Sequence, residues 1–223
     1  IHTSSLVHDD LPCMDDDRLR RGKPSTWAEY GEDIGVLTGD ALMMYAFETA
    51  ANAFETSIDP DELSRIGRAM GILARKTGVY GMIGGQTVDV ELAGGPIPKD
   101  KLDFIYRLKT GALIEASMLI GAVLGGAAEE DCKIVESLAA KIGMAFQIQD
   151  DILDVVGDEA TLGKPIGSDV RSDKTTFVAL KGLADCRILV AELTDRAVEA
   201  LAPFGSEAES LRGLAQSLAG REK

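Results

Sequence analysis

Five aspartates crowd nine positions near the start of the 223-residue chain, in His8-Asp9-Asp10-Leu11-Pro12-Cys13-Met14-Asp15-Asp16-Asp17. Carboxylates this close repel one another, so something positive must sit among them. Arg18, Arg20, Arg21 and Lys23 follow at once. Acid followed directly by base is the composition expected where a divalent cation meets a phosphate. Carboxylates hold a hard cation through oxygen, and guanidinium forks take the remaining phosphate oxygens. A second acidic cluster is Gln147-Ile148-Gln149-Asp150-Asp151-Ile152-Leu153-Asp154. On a helix, Gln147, Asp150, Asp151 and Asp154 follow the i, i+3, i+4, i+7 rule and form one polar stripe, with Phe146, Ile148, Ile152 and Val155 elsewhere around the axis. Such a stripe is costly to bury unless a metal or ligand occupies it. Either cluster alone reads equally well as a solvated helix end. Two together, each with basic residues downstream (Arg20 and Arg21; Lys164 and Lys174), point to a cation–phosphate site. A calcium-loop reading of Asp15-Asp16-Asp17 fails, because Arg20 stands where the loop needs glycine and Thr26 where it needs glutamate.

The elements that must carry these residues read as helices with short breaks. Apolar residues recur at three- and four-residue spacing, and the prolines fall at helix starts or in turns. Helices are expected over about 1–11, 31–57, 61–93, 99–125, 130–157, 174–201 and 206–219. No segment shows strand alternation with a hairpin turn. The expectation is an all-α fold, a single large helical bundle over residues 1–223 with its site between facing helices. Gly78, Gly81, Gly84 and Gly85 fall inside one long helical stretch, where a kink or a close approach is expected.

Composition removes several classes. Lys plus Arg number 23 against 37 Asp plus Glu, a net charge of −14 that argues against nucleic acid as a partner. Three cysteines, Cys13, Cys132 and Cys186, without a CxxC pair, argue against a disulfide framework or a zinc finger and suit a reducing, cytoplasmic setting. No apolar run is long enough for a membrane span.

DDLPCMDDDRLRRGKP (Asp9 to Pro24) resembles the first aspartate-rich motif of the trans-isoprenyl diphosphate synthases, the polyprenyl synthetase family that includes geranylgeranyl and farnesyl diphosphate synthases. FQIQDDILDVVGDEATLGKP (Phe146 to Pro165) resembles their second motif with its downstream lysine. Lys109-Thr110-Gly111 resembles the family's Lys-Thr element, and Gly84-Gly85-Gln86 through Asp89 its mid-chain Gly-Gly-Gln stretch. The likeness runs in order from the first residues to Gly220-Arg221-Glu222-Lys223.

The resemblance implies the isoprenoid synthase fold with a central cavity, and a prenyltransferase that adds isopentenyl diphosphate to an allylic diphosphate (dimethylallyl, geranyl or farnesyl). It implies about three Mg²⁺ per site, with Mn²⁺ as a substitute, and a homodimer. Asp9 and Asp15 match first-motif metal ligands, with Asp10 and Asp16 beside them. Asp150 matches the main second-motif ligand, with Asp151 and Asp154 beside it. Arg20, Lys109, Lys164 and Lys174 match positions that hold the allylic diphosphate, and Arg21 matches an isopentenyl diphosphate contact. Thr110 and Gln147 match positions near the reacting carbons. In the family the released diphosphate is the proton acceptor, so no protein base is expected, and His2 and His8 are expected to pack or hydrogen-bond.

The family's other isopentenyl diphosphate ligands come from an N-terminal segment that would precede Ile1, so the expectation is a chain lacking its N-terminal helices. Ser5 and Ser4 lie about one helical turn before Asp9. In the family an aromatic at the Ser4 position floors the cavity at farnesyl, so a small Ser4 implies a geranylgeranyl product. Met43, Met44 or Phe47 on a neighbouring helix could supply a floor instead, leaving farnesyl as the alternative. A class I terpene cyclase and a non-catalytic partner subunit are disfavoured, because each is expected to lack one intact aspartate motif. An HD-type phosphohydrolase needs more histidines than His2 and His8 supply.

Overall fold

α1 (His2–Asp9) lies antiparallel on α3 (Glu32–Asn52), and glycines on α3 set the distance between them. A Cβ at Gly35 would come 2.9 Å from Leu11 Cδ2, and one at Gly39 would fall inside the His8 ring, 2.7 Å from Cε1 and nearer still to Nε2. The computed structural model describes residues 1–156 and 175–221. Between α1 and α3 run the first acidic loop, a tiny hairpin and the short helix α2 (Thr26–Tyr30). The hairpin pairs β1 (Leu19–Arg20) with β2 (Lys23–Pro24) antiparallel, against the expectation of no hairpin. Its turn is Arg21-Gly22, both at positive φ (54° and 75°), which is the twist a two-residue hairpin requires. Arg-Gly is not the usual signal for that turn.

The long expected helices are broken where backbone contacts demand it. The 61–93 stretch divides into α4 (Pro60–Thr77) and α5 (Met82–Glu91) across the Gly78–Gly81 corner. α4 starts on Asp59, whose carboxylate accepts from Asp61 N at 3.1 Å with Pro60 at the first position. The 99–125 stretch is not one α-helix. α6 (Lys99–Ile105) opens into a π-helical segment, Tyr106–Gly111, before α7 (Ala112–Leu124) resumes. A π turn inserts width into a helix and is often found at functional sites. α8 (Glu129–Val156) matches its expected span and runs through the core, burying Leu138, Ala139, Ile142, Ala145, Ile148 and Ile152. Gly143 on α8 lets it touch the π segment, since a Cβ there would stand 2.8 Å from Gly111 Cα. The expected 174–201 helix is α9 (Phe177–Lys181) and α10 (Leu183–Ala200), divided at Gly182, whose φ of 85° only glycine adopts easily. The last expected helix is a 3₁₀ stretch, Ala202–Ala208, followed by α11 (Glu209–Ala219).

α4, α7 and α8 are joined by a half-buried ion triad in which Lys76 donates to Glu115 and, at 3.0 Å, to Glu136. All three cysteines are free. Among the described residues no helix is long and apolar enough to cross a membrane.

Candidate active site

The C-terminal end of α1 aims Asp9 at α5 and the π segment. Asp9 Oδ1 accepts from Gln86 Nε2 at 2.7 Å, and the backbone of Asp15 loops back to donate to the Asp9 carbonyl at 2.9 Å. Burial pushes the Asp9 carboxyl above its ordinary value; Lys109 and Arg20 pull it down, while Asp15 and Asp89 push it further up. Lys109, on the π segment, donates to Asp89 Oδ2 of α5 at 2.7 Å. Burial pulls the Lys109 ammonium down, but Asp9, Asp89 and Asp15 more than restore it, and its pKa ends above the ordinary lysine value. A buried cation faced by three carboxylates stays charged.

The next residue joins the π segment to the second motif: Thr110 Oγ1 donates to Gln147 Oε1 on α8 at 2.7 Å. A cavity opens beside this junction. Asp89, Lys109, Thr110, Gln147, Asp151 and Thr176 form its polar side, and Ile97, Leu102 and Ile105 its apolar side. Both acidic motifs therefore meet the Lys-Thr element, the first through Lys109 and the second through Thr110.

Not every expected ligand faces that junction. Asp10 is buried and held by Arg20, which also reaches Asp17 at 3.3 Å. Asp10 thus anchors the basic stretch through its Oδ1. Asp16, at a φ of 53°, is exposed on the loop, and Arg21 is at the tip of the hairpin. The polar stripe of the second motif splits between partners, because adjacent helical residues diverge by about 100°. Asp150 pairs with Arg221, whose guanidinium also stacks 3.7 Å over the Phe146 ring. Asp151 is buried and accepts from Tyr106 and from Phe177 N; Asp154 is buried deeper along α8. His8 behaves as a packing residue, its Nε2 lying 3.1 Å from the Val36 carbonyl and 3.5 Å from Asp40. Ser4 is fully buried with its hydroxyl unpartnered, whereas the Ser5 hydroxyl donates to the His2 carbonyl at 2.9 Å. Lys164 and Lys174 lie outside the described residues. Gln86, Asp89, Tyr106 and Arg221 take part in the site although no role was assigned to them from sequence. Gln86 and Asp89 had a signal, their i, i+3 spacing behind two glycines.

The donors fit a hard divalent cation. Asp9 and Asp15 supply oxygen, and Gln86 Oε1, buried beside Asp9, has no hydrogen-bond partner in the structure. Among the described residues no three carboxylate, histidine or cysteine side chains converge into a cage. A magnesium ion held by one or two carboxylates, waters and substrate phosphate needs no such cage.

Known proteins resemble this chain in sequence and in fold. Residues 1–201 match the family profile described as Polyprenyl synthetase. The chain is 43% identical over 210 residues to the large subunit 1 of the heterodimeric geranylgeranyl pyrophosphate synthase of Arabidopsis thaliana chloroplasts, covering 93% of this chain and 56% of that one. It is 42% identical over 228 residues to the farnesyl diphosphate synthase of Escherichia coli, covering 100% and 75%. The fold superposes with a TM-score of 0.83 and 36% identity on the Helicobacter pylori geranyltransferase complexed with magnesium and isoprenyl diphosphate, covering 97% and 69%. The chain thus spans little more than half the length of the Arabidopsis relative.

Proposed function

The chain belongs to the polyprenyl synthetase family, and from that premise we propose that its cavity ionises an allylic diphosphate and joins the resulting cation to isopentenyl diphosphate. The observation that carries this reading is the π segment, whose Lys109 faces Asp9, Asp15 and Asp89 while Thr110 binds Gln147. Breaking the allylic C–O bond loads negative charge onto the departing diphosphate. Lys109 and Arg20 meet that charge with fixed cations, which are worth more in the transition state than in the ground state. Thr110 and Gln147 present oxygen dipoles to the carbocation, and Ile97, Leu102 and Ile105 keep water from quenching it. Asp9, Asp15 and Asp150 would hold Mg²⁺, which when bound neutralises the leaving group as a Lewis acid. With Asp150 paired to Arg221, that carboxylate must exchange its partner to serve. Loss of a proton to the released diphosphate completes a product five carbons longer.

The proposed product is geranylgeranyl diphosphate. His8 opposite Gly39 and Leu11 opposite Gly35 fix an antiparallel register, and extending it by one turn sets Ser4 toward the Met43 end of α3. Ser4 is a small, fully buried side chain there, while Met44 is 68% exposed. The exposed apolar face of α3, with Leu37, Met44 and Tyr45, supports a homodimer, and the free cysteines support a reducing cytoplasmic setting.

The function is tested by incubating the protein with Mg²⁺, isopentenyl diphosphate and each allylic primer, then chromatographing the products. A twenty-carbon diphosphate is expected; no product longer than its primer with any of them would sink the reading. Ser4→Tyr is expected to make the fifteen-carbon product the majority species. An unchanged product profile would put the floor on α3 instead.

A further inference from the structure

We propose that Tyr106 is a positioning residue for the allylic diphosphate site, acting through Asp151. The inference rests on the prenyltransferase reading above. Tyr106 opens the π segment that carries Lys109 and Thr110. Its hydroxyl lies 2.8 Å from both Asp151 oxygens, and Phe177 N donates to Asp151 Oδ2 at 2.8 Å. Tyr106, Asp151 and Phe177 are 7%, 3% and 3% exposed, and the Tyr106 and Phe177 rings meet at 5.2 Å. One buried carboxylate thus binds three elements together: the π segment, α8 and the start of α9.

The segment so tied borders the cavity. Thr175 and Thr176, just before Phe177, line it, and Thr175 Oγ1 accepts from Ile97 N, another lining residue, at 3.0 Å. On the other side of the π segment, Thr110 bonds Gln147, one turn earlier on α8 than Asp151. The π segment is therefore fastened to α8 at both flanks of Lys109. A π turn lacks the regular α-helical ladder, so outside tethers decide where its side chains point. With both oxygens accepting from buried donors, much of the Asp151 charge is committed to holding the wall.

Two variants test this. Tyr106→Phe keeps the ring on Phe177 and removes the hydroxyl. Asp151→Asn removes the charge, but its amide oxygen can still accept from Phe177 N–H and its NH₂ can donate to the Tyr106 oxygen. Steady-state kinetics are paired with calorimetric titration of Mg²⁺ in the presence of inorganic pyrophosphate. Tyr106→Phe is expected to raise KM for the allylic diphosphate about tenfold, because a small displacement of positioning groups costs that much or more. KM for isopentenyl diphosphate and the Mg²⁺ midpoint should stay within about twofold. Asp151→Asn, which keeps the shape but weakens both bonds by removing the charge, is expected to raise KM for the allylic diphosphate in the same direction as Tyr106→Phe and to leave the Mg²⁺ midpoint within about threefold. A thermal midpoint that falls in Tyr106→Phe with neither KM moved would reduce the hydroxyl to packing and overturn the proposal. So would an Mg²⁺ midpoint at least about tenfold higher in Asp151→Asn, which would make Asp151 a metal ligand. Failure of the parent reading appears separately, as unsubstituted protein that neither binds Mg²⁺ with pyrophosphate nor extends a primer.

Discussion

Asp9→Asn is expected to lower kcat by about a thousandfold, to be measured with both diphosphates and Mg²⁺ saturating. The substitution preserves shape and can preserve the bond with Gln86, whose amide nitrogen lies 2.7 Å from Asp9 Oδ1. What it removes is the one first-motif carboxylate that is partly buried at the mouth of Lys109. Two losses compound. On the function proposed above, the cation that would neutralise the departing diphosphate would lose an oxygen ligand, and Lys109 would lose one of the three carboxylates that keep it charged despite burial. Because the folded state already disfavours the charged Asp9 carboxyl, the asparagine should fold at least as stably as wild type above pH 4. Loss of activity without loss of Tm is therefore the signature. A kcat within tenfold of wild type would remove Asp9 from the reaction. Asp10→Asn should instead destabilise the fold, since it breaks the buried pair with Arg20.

Gly85→Ala has the largest expected effect among substitutions that touch no charged group. α5 and the π segment lie backbone to backbone at this point. A Cβ on residue 85 would stand 2.8 Å from Leu108 C and 2.9 Å from Leu108 Cβ, and closer still to Lys109 N. No flexible side chain can yield, so α5 must withdraw. Overpacking of this kind costs about 1–3 kcal/mol, or a fall in Tm of about 2–12 °C in a chain of this size. Withdrawal also stretches the Asp89–Lys109 and Gln86–Asp9 bonds, so kcat/KM should fall about a hundredfold. Gly71→Ala on α4 is the control, with nothing within 4 Å of its added methyl. It should be neutral or slightly stabilising. A Gly85→Ala protein that melts and turns over like wild type would show that the two backbones have slack.

The contrast between those two glycines explains what could be read from sequence. Gly78 to Gly85 announced a break or a close approach, and both occur: a corner at Gly78–Gly81 and a contact at Gly85. The acidic motifs were legible because five aspartates in nine positions have few bland explanations. Which aspartate does what was not legible. Asp9 and Asp10 are the same residue type, yet helical geometry turns one toward Lys109 and the other onto Arg20. Asp150 and Asp151 part in the same way, toward Arg221 and Tyr106. Periodicity reports a face about half a turn wide, and two partners fit within it. The π segment was invisible for a different reason. Apolar spacing runs unbroken from α6 into α7, and the register slip at Tyr106–Gly111 is set by contacts with α5 and α8 that no local pattern encodes. The Arg21-Gly22 turn escaped because arginine rarely takes the positive φ it adopts there.

The imidazole of His8 occupies the notch left by the missing side chain of Gly39. These two positions are a lock and its key, and neither can be altered alone. Enlarging residue 39 would pry the end of α1 away from α3 and swing Asp9 with it, so on the proposed function an uncharged change in the middle of α3 would be felt as a change in metal affinity. Drift at 39 is thus gated by what stands at 8, which makes a remote methyl group a silent determinant of the chemistry.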